Sequence, residues 1–169
     1  RWSDEAKAAA SAERVVYLVF RGTDSPGELV GTNVFKAGMI PFPPEWLSSP
    51  EGGVGGVGSV GKGKSEEGEE GVPAGKVHGE YTRIMQGLVR ETKLLQALRL
   101  MFPVGGEGAG YDRLVITGHS LGGGLAIAAA ACIGLQVPGI PKLTLHTIAG
   151  APYGDTAFVK FFNEDARLR

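Results

Sequence analysis

At 169 residues the chain is long enough for one domain with a real core, and its 43% hydrophobic and 21% charged residues are ordinary for a globular protein. A net charge of −1 and a pI of about 6.4 speak against a nucleic-acid surface, which needs clustered Lys and Arg. No apolar run approaches the ~20 residues of a transmembrane helix, and a single cysteine, Cys132, rules out an internal disulfide.

Ser3–Glu13 is Ala-rich and charged, fitting either a short helix or the trailing end of another element. Arg14–Phe20 is an apolar, β-favouring run, expected as a strand buried on both faces and ending at Arg21-Gly22-Thr23-Asp24. Residues 24–50 show no period. Their apolar, Pro-rich cluster from Met39 to Leu47 fits either ordinary core or the rim of an apolar groove.

Glu51–Gly75 holds ten glycines, five glutamates and two lysines. Such a composition cannot offset its own ordering entropy, so a disordered surface insertion is expected. Within it, Gly56–Gly61 spells G-x-G-x-x-G and Gly56–Lys62 nearly spells a P-loop. No strand leads in and no helix leads out, so phosphate binding is not expected.

Gly79–Phe102 is predicted as one long amphipathic helix, with Ile84, Leu88, Leu95 and Leu98 on a stripe joined by Tyr81 and Met85. Arg113–Thr117 is a second buried strand, followed by Gly118–Gly122 and a small-residue helix to about Ile133. Cys132 lies in that helix and is expected to be a buried free thiol. Leu143–Ile148 is a third strand leading into Gly150-Ala151-Pro152, and a last helix carries Phe158, Phe161 and Phe162. Strands alternating with helices imply crossover units, hence an α/β fold with a mainly parallel sheet and helices on both faces.

Gly118-His119-Ser120-Leu121-Gly122 matches G-x-S-x-G between a strand and a helix, where that motif places a nucleophilic serine on a strained turn. Neighbours two positions either side must be small, and Gly118 and Gly122 are. The helix start turns its free N–H groups toward the serine.

Val115–Gly123 resembles the nucleophile segment of the class 3 (fungal-type) lipases, an α/β-hydrolase family. Phe20-Arg21-Gly22-Thr23 resembles the family's oxyanion loop, Val77–Tyr81 the segment opening the intervening helix, and Gly150–Phe158 the turn after the next strand. The resemblance implies that Ser120 attacks an ester carbonyl and that the backbone N–H of Leu121 supplies one oxyanion donor. Thr23 would supply the second, through its N–H and hydroxyl. It implies a single partial α/β-hydrolase domain over 1–169, an acyl lipid or other ester as substrate, transient contact with a lipid interface, and no metal or cofactor. One departure is at Leu29 or a neighbour, where the family has a tryptophan; it bears on lid packing.

In this fold the triad runs Ser, Asp, His. By the family's spacing both acid and base lie beyond Arg169, so the chain, which also opens at Arg1 without a leader-like segment, is read as a fragment of unassigned localisation. Asp155 and Asp165 lack the expected strand-end setting. His119 should point away from the nucleophile, His146 precedes any plausible acid, and His78 should pack or cap at a helix start. Two other activities stay open: acyl transfer to an alcohol by the same serine, and a non-catalytic lipid-binding relative.

Overall fold

The computed structural model describes residues 12–22, 38–44, 47, 74–105 and 110–165. Thr23, Leu29, the low-complexity stretch up to residue 73 and the Ala-rich segment up to residue 11 fall outside them.

Three parallel strands form the main sheet: β1 (Val15–Phe20), β4 (Arg113–His119) and β5 (Leu143–Ile148), in the order β1-β4-β5. Val16 and Leu18 lie beside Leu114 and Ile116, which in turn lie beside Leu143 and Leu145. These side chains share one face, since successive residues of a strand point to opposite sides. Against that face packs α3 (Leu121–Gln136), in contact with all three strands. The helix is apolar all round and buries 12 of its 16 residues, as expected for a helix covered on every side rather than lying on a surface. Its second layer is α1 (Gly79–Thr92) and α2 (Leu94–Met101), with α1 resting on α3.

The opposite face of the sheet is different. Tyr17 and Val19 are 65% and 67% exposed, so β1 is covered on one face and not on both. Both residues are as apolar as their partly buried neighbours in the strand, and the row that runs across the sheet from Val19 continues through the polar Thr117 to His146. His146 is exposed there.

The predicted single helix over 79–102 is two. Lys93 adopts φ 55° and ψ 31°, closing α1 and opening α2, while Thr92 turns its hydroxyl back onto the Leu88 carbonyl at 2.7 Å. The break has a packing cause. At 100° per residue, the buried set of α1 (Tyr81, Thr82, Met85) and that of α2 (Leu95, Leu98) would point roughly 120° apart on an uninterrupted helix. The left-handed residue re-aims the second segment at the core.

A second, antiparallel ladder pairs β2 (Met39–Pro41) with β3 (Lys76–His78). It brings the Pro-rich cluster to the body of the protein: Phe42 and Leu47 are buried, Met39 stays 46% exposed. Gln136, buried at the end of α3, donates from Nε2 to the Leu47 carbonyl at 2.8 Å, while Arg99 donates to the carbonyl of Gln136 at 3.0 Å. The cluster therefore contributes mainly to the core. Beside it α4 (Thr156–Glu164) buries Phe158, whose ring meets those of Phe42 and Tyr153 edge-on at 5.1 and 5.2 Å. Cys132 is a free, buried thiol, and burial pushes its pKa up to about 12.

Candidate active site

β4 runs two residues further than expected, to His119, and α3 starts at Leu121. Only Ser120 separates them. Its backbone lies at φ 54° and ψ −122°, a conformation that a residue with a side chain adopts only when its surroundings impose it. They do so here through hydrogen bonds. The Ser120 N–H donates to the Ile148 carbonyl at 3.0 Å, and its own carbonyl accepts from Gly123 N at 2.9 Å and Ala151 N at 3.3 Å. The end of β5 and the turn after it therefore hold the serine from one side.

Glycine makes the turn sterically possible. A Cβ on Gly118 would collide with the carbonyl of Gly122, and one on Gly122 would collide with the carbonyls of Phe20 and Arg21. A Cβ on Gly123 would stand 2.5 Å from the Cα of Gly150. The first turn of α3 is thus pressed against the ends of all three strands, and no side chain fits between.

The same contacts join two motifs nearly 100 residues apart. Phe20 pairs with Gly118 across the β1–β4 ladder. Beyond it, a Cβ on Gly22 would meet the His119 carbonyl at 2.8 Å and its Nδ1 at 3.3 Å. The loop leaving β1 therefore starts against the elbow, one residue before Thr23. Leu121 is the first residue of α3, so its N–H is one of the donors a helix start leaves without an intrahelical carbonyl. The first turn carries no acidic residue to oppose an anion, and the helix dipole favours negative charge at that end.

The remaining candidates are placed elsewhere. Asp155 caps α4: its carboxylate accepts from Phe158 N at 2.9 Å and Lys76 N at 3.0 Å, and these N–H groups, that of Phe158 first, hold its pKa below the usual carboxylate value. Asp165 stands at the far end of that helix. His78 precedes α1 without capping it through its side chain; its ring packs on Tyr81 at 4.6 Å. His119 is exposed, on the sheet face opposite Gly118. Among the described residues no group of three or more His, Cys, Asp or Glu is arranged to hold a metal ion, and no helix is long and apolar enough to cross a membrane.

Sequence motifs alone singled out Ser120, Leu121 and the elbow glycines as candidates. They did not reveal that Ile148 and Ala151 clasp the serine's backbone. They also gave no sign that Tyr81 reaches the first turn of α3, where Gly124 leaves room for its ring.

The model of the lipase (class 3) family matches residues 17–169. No curated protein sequence matches the chain. Among solved structures, the M37 lipase superposes with a TM-score of 0.57 at 20% identity, over 91% of this chain and 42% of that one. A deletion mutant of the Rhizomucor miehei lipase in complex with its propeptide gives 0.51 at 23% identity, over 89% of this chain and 37% of that one. The likeness extends to the fold, and the chain spans less than half the length of either structure.

Proposed function

From its membership of the class 3 lipase family, to which the chain belongs, we propose that it cleaves carboxylic esters of acyl lipids, with Ser120 as the nucleophile. The observation that carries this reading is the backbone of Ser120, bent to φ 54° and ψ −122° between a buried strand and a buried helix. Conformations of this kind cost ~1–3 kcal/mol and concentrate at functional sites.

In the proposed reaction Ser120 Oγ bonds to the ester carbonyl carbon and gives its proton to a base. The N–H of Leu121 and the N–H and hydroxyl of Thr23 receive the oxyanion. Collapse breaks the carbon–oxygen bond, the alcohol leaves with the proton held by the base, and the acyl group stays on Ser120; water then attacks, giving a proton to the base, and the fatty acid is released as that proton returns to Ser120 Oγ. Each oxyanion donor is worth ~10²–10³ in rate. The role given to Leu121 is supported by its place as first residue of α3, and that of Thr23 by the contact of its neighbour Gly22 with His119. Neither the acid nor the base is assigned to a described residue: Asp155 is occupied as a helix cap, and His119 projects from the other sheet face.

The test is covalent labelling of the whole protein by an organophosphonate, which reacts quickly only with an activated serine. Wild-type protein should label, and Ser120→Ala should not, while keeping the wild-type circular dichroism. Equal labelling of the two would place the nucleophile elsewhere, and an unlabelled wild type would identify a non-catalytic relative.

A further inference from the structure

The β4–β5 ladder runs in register to its last pair, His119 beside Ile148. The next pair would be Ser120 beside Ala149. Instead both residues leave extended backbone, Ser120 at φ 54° and Ala149 at φ 47°. Positive φ is uncommon outside glycine and persists only where the surroundings hold it. At Ala149 the side chain gives no reason for it, being exposed and outside the core.

The reason lies in the backbone on either side. The Ile148 carbonyl accepts from Ser120 N at 3.0 Å, and Ala151 N donates to the Ser120 carbonyl at 3.3 Å. In a regular parallel ladder the two partners of one residue stand two positions apart. Here they stand three apart, so the chain leaving β5 carries one residue more than the ladder needs, as at a bulge. The positive φ of Ala149 lets the turn absorb it. Gly150, beyond it, lies against the first turn of α3: a Cβ on Gly123 would stand 2.5 Å from Gly150 Cα. Residues 148–151 therefore touch residues 120 and 123 and so bracket Leu121 in the chain.

We propose that Ala149 is a positioning residue of the nucleophile. Its left-handed backbone keeps Ile148 and Ala151 on the two backbone groups of Ser120, and through them sets the aim of Ser120 Oγ and of the Leu121 N–H. This role rests on the reading of Ser120 as nucleophile. Because the Ala149 side chain is exposed, a substitution there acts on the backbone and leaves the core untouched. Asparagine enters positive φ several-fold more readily than most residues, whereas a β-branched residue there is an outlier.

The experiment compares the whole wild-type protein with Ala149→Asn, Ala149→Leu and Ala149→Val. It reads the rate of organophosphonate labelling, and kcat and KM for a short-chain chromogenic ester, with circular dichroism and melting temperature on the same samples. Labelling rate and kcat should stay within about twofold of wild type in Ala149→Asn and fall on the order of 10–10²-fold in Ala149→Val, as for a misplaced reacting group. Ala149→Leu should lie between them, and KM should change little, since ground-state contacts with the ester are not altered. Melting temperatures that fall along the series while rates per folded protein do not would overturn the proposal, leaving the turn a structural role only. Equal slowing by Asn and Val would overturn it too, tracing the loss to side-chain bulk. If Ala149→Val does not fold, the order of Ala149→Asn and Ala149→Leu decides on the same grounds. A wild type that labels beside a flat series refutes the role of Ala149 alone; failure of the wild type to label refutes both readings.

Discussion

Lys93 and Ser120 both stand immediately before a helix, with φ of 55° and 54°, but ψ is 31° at Lys93 and −122° at Ser120. The first pair of angles lies in the left-handed helical basin, open to any L-residue at ~1–2 kcal/mol. The second lies in territory held almost only by glycine. Lys93 is exposed, and its break serves packing by turning α2 toward the core. Ser120 is held from the outside by Ile148, Ala151 and the glycine contacts of the first turn. A shared φ therefore says little by itself. What separates a hinge from a site is how much of the surrounding protein is needed to keep the residue there.

The largest effect that would sharpen this distinction is expected in the glycines. Gly122→Ala places a methyl group against the carbonyls of Phe20 and Arg21 and should cost roughly 1–3 kcal/mol or more. Gly87, inside α1, has nothing within 4 Å of its would-be Cβ, so Gly87→Ala should gain ~0.5–1 kcal/mol from helix propensity. Urea midpoints that move in the same direction for both would mean that the elbow has slack.

A smaller effect separates the two residues themselves. Ser120→Gly should raise stability by relieving ~1–3 kcal/mol of strain, less the ~0.5–1 kcal/mol that glycine costs in chain entropy. At Lys93 the relief is the smaller ~1–2 kcal/mol against the same entropy cost, so Lys93→Gly should raise the melting temperature less than Ser120→Gly does. Equal shifts at the two sites would dissolve the distinction.

The smallest effect concerns a third helix start. Asp155 begins α4 from ordinary extended backbone, φ −77° and ψ 178°, with its carboxylate as cap. Its pKa is lowered in the folded state, chiefly by the Phe158 N–H. Its contribution is therefore complete above the unfolded-state pKa and lost as pH falls through the folded one. Thermal melts of wild type and Asp155→Asn should converge on acidification; curves that stay parallel would show that the charge contributes nothing.

The elbow was legible because its chemistry is local: two glycines, a serine, an apolar strand before and small residues after. The parallel α/β order followed from alternating apolar runs. The break at Lys93 was hidden because lysine is an ordinary helix residue and the stripe Ile84, Leu88, Leu95, Leu98 keeps helical spacing across it. The β2–β3 ladder spans three residues a strand, too short for alternation to register. The exposed face of β1 was illegible for another reason: Tyr17 and Val19 are apolar wherever they point. Tyr81 could be assigned to a core stripe, yet its meeting with Gly124 depends on how α1 crosses α3, which no local pattern encodes.

The clasp on Ser120 by Ile148 and Ala151 has a consequence for the order of events during synthesis. The chain that completes the serine's geometry is made after it, and the Phe20–Gly118 pairing that seats the turn closes a loop of nearly 100 residues. Long-range pairings form late, once loop closure has been overcome. A ribosome-bound chain that has exposed Ser120 but not yet β5 therefore lacks the backbone hydrogen bonds that bend the residue. The bent serine belongs to the assembled sheet and forms only when its last described strand docks.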